Sequence, residues 1–259
     1  NMNQKLTPHN DINQVLELLA TGLEKLLGNW LAGLYLTGSL TYGDFDKGSS
    51  DIDFLAVLSR ELTDQQLETV KRLHQQIGEA VPFWAKRLEG SYITTEMIKT
   101  KARPETQRPY VNGGKVNLYQ YGNEWTINLY ALQETGVAII GAEPTQMFPK
   151  VSIEDVREAS KQDLLNDWQP KLDDPNAFNP EGYDSSHTKA YAVLTMCRIL
   201  HRAKNDGIAS KRVASKWVKE TYKDWADIVE QAEQWRHGKE MSSDDEVRKL
   251  IRFTIKEVA

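Results

Sequence analysis

The apolar positions of the chain change period several times, and each change marks an element. Over residues 10–28, Ile12, Val15, Leu16, Leu18, Leu19, Leu23, Leu26 and Leu27 recur at helical spacing, with Asn10 or Asp11 as the start signal and Gly28 as the stop. Short apolar runs at 34–36 and 54–58 read as strands. Residues 63–79 open on Thr63-Asp64 and set Leu67, Val70, Leu73 and Ile77 on one helical face. His74 lies in that helix among polar neighbours and reads as a surface residue. A further strand is expected over 86–95. Residues 99–124 are polar and aromatic and are broken by Pro104, Pro109 and Gly113-Gly114. They read as a long loop with a hairpin at Asn112-Gly113, ordered by Tyr110, Tyr119 and Tyr121 and placed to wall a cleft.

A helix over 125–136 and a strand over 137–140 follow, and then the alternation stops. From Ser152, itself a good helix start, only helical periodicity remains. The pattern therefore predicts an α/β (α+β) domain with a mixed sheet over residues 1–155 and an all-α helical bundle over 156–259. Trp217, Trp225 and Trp235 are spaced for helix packing, with Trp235 also suited to stacking on adenine. Cys197, inside an apolar run, reads as core.

The chemistry concentrates in residues 34–57, LYLTGSLTYGDFDKGSSDIDFLAV. Successive strand residues point to opposite faces, so Asp51 and Asp53 face one way and Ile52 the other. Two carboxylates held close together must share a proton or be neutralised by a cation. Hard oxygen donors in a loose set suit magnesium, which takes its remaining ligands from water and substrate phosphates. Gly38 permits close backbone approach, and Ser39 offers a hydroxyl and an amide at an expected helix or turn start, where anions are attracted. The stretch reads as a nucleoside triphosphate held between Gly38-Ser39 and metal on the two aspartates.

Gly38-Ser39 followed by Asp51-Ile52-Asp53 resembles the signature of the DNA polymerase β-like nucleotidyltransferases, and the local wording resembles their aminoglycoside branch, the streptomycin/spectinomycin adenylyltransferases. The resemblance implies a magnesium-dependent enzyme, with two ions, that moves AMP from ATP to a hydroxyl of an aminoglycoside or aminocyclitol and so confers antibiotic resistance. It implies Asp51, Asp53 and Glu89 as the metal and catalytic carboxylates, with Glu89, in a Leu-Glu context, as the base for the incoming hydroxyl. Gly90-Ser91 departs from the apolar residue and threonine more usual after that glutamate. Gly38, Ser39 and Ser50 would contact the nucleotide. Residues 136–141 with Phe148-Pro149 resemble the end of the family's catalytic domain, and residues 191–200 with 207–211 resemble its helical domain. There Arg198 and Lys211 stand where an arginine and a lysine reach the nucleotide phosphates. The acidic loop 173–187 would recognise the cationic acceptor through Asp184, Glu181 and Tyr183. It holds no tryptophan of the kind streptomycin-modifying relatives carry, Trp168 lying too early, which favours spectinomycin.

Composition adds limits. The 259 residues are 40% hydrophobic and 27% charged, with a net charge of −5, a balance that argues against duplex nucleic acid as the partner. The single cysteine excludes an internal disulfide framework. No apolar run is long enough for a membrane span. A monomeric cytoplasmic protein is expected. Two rival readings are a nucleotidyltransferase acting on a protein or RNA, and a non-catalytic nucleotide-binding, antitoxin-like protein. The retained carboxylates disfavour the second, because mere binding needs no base.

Overall fold

The computed structural model describes residues 6–182, 184–235, 238, 240–241 and 243–259. The chain divides into two compact units, residues 1–151 and 152–259. The first is built on a six-stranded sheet of order β5-β4-β3-β2-β1-β6. Its elements run α1 (Asn10–Leu27), β1 (Leu31–Thr37), α2 (Ser39–Tyr42), β2 (Ile52–Leu58), α3 (Asp64–Ala80), α4 (Pro82–Ala85), β3 (Leu88–Thr94), β4 (Gln107–Asn112), β5 (Lys115–Gln120), α5 (Glu124–Thr135), β6 (Val137–Ile140) and α6 (Pro144–Met147). β2 and β3 are parallel and joined by the α3–α4 crossover, while the other pairs are antiparallel. The sheet is thus mixed, as the sequence pattern implies.

One face of the sheet is sealed by helices. Ile52, Phe54, Ala56 and Leu88 from the strands pack with Ile12, Leu16, Leu19 and Leu23 of α1 and Val70 and Ile77 of α3 in one buried cluster. The opposite face is left to the alternate residues, Asp53 and Glu89 among them.

Three expectations need correction. α1 has His9 at its N-cap, with no side-chain cap from Asn10 or Asp11; instead the Asn13 side chain holds the Thr7 backbone, its Oδ1 accepting from the Thr7 amide at 2.9 Å and its Nδ2 donating to the Thr7 carbonyl at 2.8 Å. The hairpin expected at Asn112-Gly113 forms, but residues 107–120 around it are strand where a long loop was expected. β4 and β5 add two strands to the sheet, turned by Gly113 and Gly114 at φ 59° and 78°, the positive pair that a tight hairpin turn requires.

His74 is the third. It is only 2% exposed, stacks on Phe54 with ring centroids 6.0 Å apart, and shares a 2.7 Å hydrogen bond with the Tyr92 hydroxyl. Burial lowers its pKa to about 4. The same cluster accounts for Gly90. A Cβ there would lie 2.4 Å from Phe54 Cδ1, so the small residue on β3 makes room for the large one on β2.

The second unit contains α7 (Ile153–Asp163), α8 (Ser185–Lys204), α9 (Lys211–Thr221), α10 (Ala226–Gln234) and α11 (Asp244–Val258), and no strand among its described residues. Ser152 caps α7 in a capping box with Asp155. α8 is the central helix, burying Val193, Met196, Cys197 and Leu200 against Val218, Val229, Leu250 and Ile251 of α9, α10 and α11. Trp217 packs edge-on against Tyr222, and Trp225 packs tilted against Phe253.

Candidate active site

The candidate site lies at one end of β1, β2 and β3, where Thr37, Asp53 and Glu89 come side by side. Strand register pairs Thr37 with Asp53, and Asp53 with Glu89. Residues paired across neighbouring strands share a face, with the strands about 4.8 Å apart. Two carboxylates distant in sequence therefore become neighbours, while Ile52 and Leu88, one residue earlier in each strand, are sealed in the core.

Gly38 closes against this pair. Its φ is 74°, and a Cβ built on it would fall 1.9 Å from Asp53 Oδ2, so the position demands glycine for both conformation and space. Ser39 then opens α2, whose first turn leaves amides without partners inside the helix. The turn is secured by Thr41, whose hydroxyl donates to the Gly38 carbonyl at 2.8 Å.

Asp51 sits just ahead of β2, where its Oδ1 lies 3.6 Å from Arg87 Nε. Arg87 Nη1 also donates to the Lys47 carbonyl at 2.7 Å, so one guanidinium ties Asp51 to the glycine-punctuated loop. Within that loop the Asp46 carboxylate accepts from the Gly48 amide and the Ser49 hydroxyl. Ser50 accepts from the Asp46 amide at 3.0 Å; its hydroxyl shapes the loop.

Glu89 accepts a hydrogen bond from the Tyr110 hydroxyl, and Asn112 Nδ2 lies 3.4 Å behind that hydroxyl. Burial and the bond to Glu89 hold the Tyr110 phenol above its ordinary pKa. Beside it Arg108 is buried, donates to Ser91 Oγ at 3.2 Å and to the carbonyls of Tyr119 and Gln120 at 2.9 and 3.0 Å, and lies 3.8 Å over the Tyr121 ring. Arg87, Arg108 and Tyr110 were not among the residues the sequence singled out for chemistry. Arg87 directly precedes Leu88-Glu89, and Tyr110 belonged to the tyrosine group assigned to a cleft wall. The missing signal was the pairing of β4 with β3.

Hard carboxylate donors suit a magnesium ion. Asp53 on β2 and Glu89 on β3 are neighbouring carboxylates, and Asp51 ends the glycine-punctuated loop just before β2. Among the described residues no group of three or more His, Cys, Asp or Glu side chains is gathered to hold a metal ion, so Asp51, Asp53 and Glu89 do not form the three-carboxylate set that the resemblance implies, and an ion here would draw most of its ligands from phosphate oxygens and water.

In the second unit, Arg198 on α8 is half-buried, and its Nε has no hydrogen-bond partner. Lys211 is the exposed first residue of α9, behind Ser210, whose side chain accepts from the Val213 amide. A first turn with Lys211 and Arg212 and no acid reinforces the positive end of the helix dipole. Asp184 is the N-cap of α8 and accepts from the Ser186 amide at 2.8 Å; Glu181 is exposed in the preceding turn. Tyr183 lies outside the described residues. From Asp184 to Arg198 the helix rises about 21 Å, so the expected acceptor and phosphate groups occupy different ends of α8. Trp235, the alternative adenine platform, stacks on His187 with centroids 4.7 Å apart.

Residues 16–92 match the nucleotidyltransferase domain model and residues 146–258 match the C-terminal domain model of aminoglycoside adenylyltransferases. The chain is 25% identical over 232 residues to a spectinomycin 9-adenylyltransferase of Enterococcus faecalis, covering 83% of this chain and 82% of that protein. A spectinomycin 9-adenylyltransferase of Staphylococcus aureus is 24% identical over 218 residues, covering 80% and 77% respectively. Among solved structures, an enterococcal spectinomycin adenyltransferase crystallised with ATP and spectinomycin superposes with a TM-score of 0.69, at 21% identity, over 95% of this chain and 98% of the other. With both domain models matched in order, and with a mixed sheet carrying the paired carboxylates, the chain belongs to the aminoglycoside nucleotidyltransferases.

Proposed function

We propose that this enzyme transfers AMP from ATP to a hydroxyl of an aminocyclitol antibiotic, with spectinomycin the first candidate, and that resistance is its biological role. The observation that carries the reading is the register of Asp53 with Glu89 beside Gly38; the spectinomycin-modifying relatives support the acceptor. The Gly38 backbone and Ser39 hold the terminal phosphates. Asp51 and Asp53 would hold magnesium, which when bound screens the phosphate charge. Glu89 takes the proton from the acceptor hydroxyl as it attacks the α-phosphorus. Arg198 and Lys211 offset charge on the departing pyrophosphate. Asp184, Glu181 and Tyr183 attract the cationic acceptor. The chain's contribution is mainly position and charge, as this chemistry requires.

The test is pyrophosphate release from ATP and magnesium across spectinomycin, streptomycin and several aminoglycosides, with product masses read in parallel. Spectinomycin is expected to gain one AMP. Absence of release with every compound, despite ATP binding, would overturn the antibiotic reading.

A further inference from the structure

We propose that Tyr110 is the positioning residue for Glu89: from the neighbouring strand its hydroxyl fixes the direction of the carboxylate that takes the acceptor's proton. The inference rests on the reading of Glu89 as base.

A glutamate on a strand has three free side-chain torsions, and an unheld carboxylate samples many directions. Here the restraint comes from sheet geometry. Tyr110 pairs with Ser91 on β3, two residues from Glu89, so Tyr110 and Glu89 are diagonal neighbours on one face. Diagonal positions lie about 7 Å apart, a span that a tyrosine bridges. Its hydroxyl donates to Glu89 Oε1.

The tyrosine is itself restrained. Its ring meets Tyr119 edge-on at 5.8 Å and lies 5.1 Å from the Arg108 guanidinium. Arg108 is anchored in turn to Ser91 and to two β5 carbonyls. The hairpin thus reaches Glu89 through the Tyr110 hydroxyl, which an apolar ring of equal size would not replace.

The test compares wild type, Tyr110→Phe, Glu89→Gln and the double variant, using ATP, magnesium and spectinomycin. Loss of a hydrogen bond that orients a reacting group costs on the order of 10-fold. Tyr110→Phe is therefore expected to lower kcat by about that factor, with KM for spectinomycin and the calorimetric affinity for magnesium-ATP changed less than about 2-fold. Positioning predicts that the double variant is no slower than Glu89→Gln alone, since the hydroxyl acts only through that carboxylate. Unchanged kcat in Tyr110→Phe, or a full further loss on the Glu89→Gln background, overturns the positioning role. A fall in magnesium-ATP affinity does so as well, by assigning the hydroxyl to nucleotide binding. Glu89→Gln with wild-type turnover overturns the base assignment itself, which separates the two failures.

Discussion

His74 makes the first unit acid-sensitive by an amount the structure sets. Its imidazole has an ordinary pKa of 6.5 and is lowered by burial to about 4 in the folded protein. The folded state therefore favours the neutral ring. Above pH 6.5 both states are neutral and nothing is lost; as the pH falls from 6.5 toward 4, the unfolded chain takes up a proton that the folded chain refuses, and stability drops. At 1.36 kcal/mol per pH unit, the loss is about 1.4 kcal/mol at pH 5.5 and about 2.5 kcal/mol at pH 4.5. Urea denaturation of wild type and His74→Gln from pH 7.5 to 4.5 measures it, because glutamine keeps a partner for Tyr92 without titrating. The wild-type midpoint should fall relative to the variant below pH 6.5, and an NMR titration of the His74 ring should stay flat down to about pH 5. Parallel pH slopes for the two proteins, or a ring midpoint near 6.5, would refute the reasoning.

Other perturbations act elsewhere. Gly38→Ala sets a Cβ against Asp53 Oδ2 and should cost on the order of 100-fold in kcat/KM, since a displacement of about 1 Å at a reacting centre costs that much; the pyrophosphate assay reads it. Asp53→Asn should abolish the dependence of ATP affinity on magnesium, and calorimetry with and without the ion gives the answer, with chelation of wild type as the matching control. Asp163, raised by burial to about 6 although it accepts a bond from Trp168 Nε1, has the opposite sign to His74: its contribution is fully present below pH 3.8 and is lost as pH rises through 6. Asp163→Asn should therefore raise the melting temperature at pH 7, with the gain shrinking between pH 6 and 3.8.

The parts of the fold visible in the sequence are those whose cause is local. The helix starts at Thr63 and Ser152 are capping boxes written within four residues of sequence, and Asp53 lies opposite the core-facing Ile52 because a strand has period two. Gly38-Ser39 was visible for the same reason, though not the 1.9 Å clearance that makes glycine obligatory. What was missed depends on partners far along the chain. His74 looked exposed because its neighbours in sequence are polar, and only the pairing of β2 with β3 brings Phe54 and Tyr92 over it. β4 and β5 looked like loop because Pro109 lies within β4, one residue outside its pairing with β3, and most of β5 is exposed on a sheet edge, where polar residues are tolerated. Placing that hairpin in the sheet also reveals Tyr110 beside Glu89. A base can be read from a Leu-Glu pair, but the hydroxyl that aims it is supplied by strand order, which the sequence does not write locally.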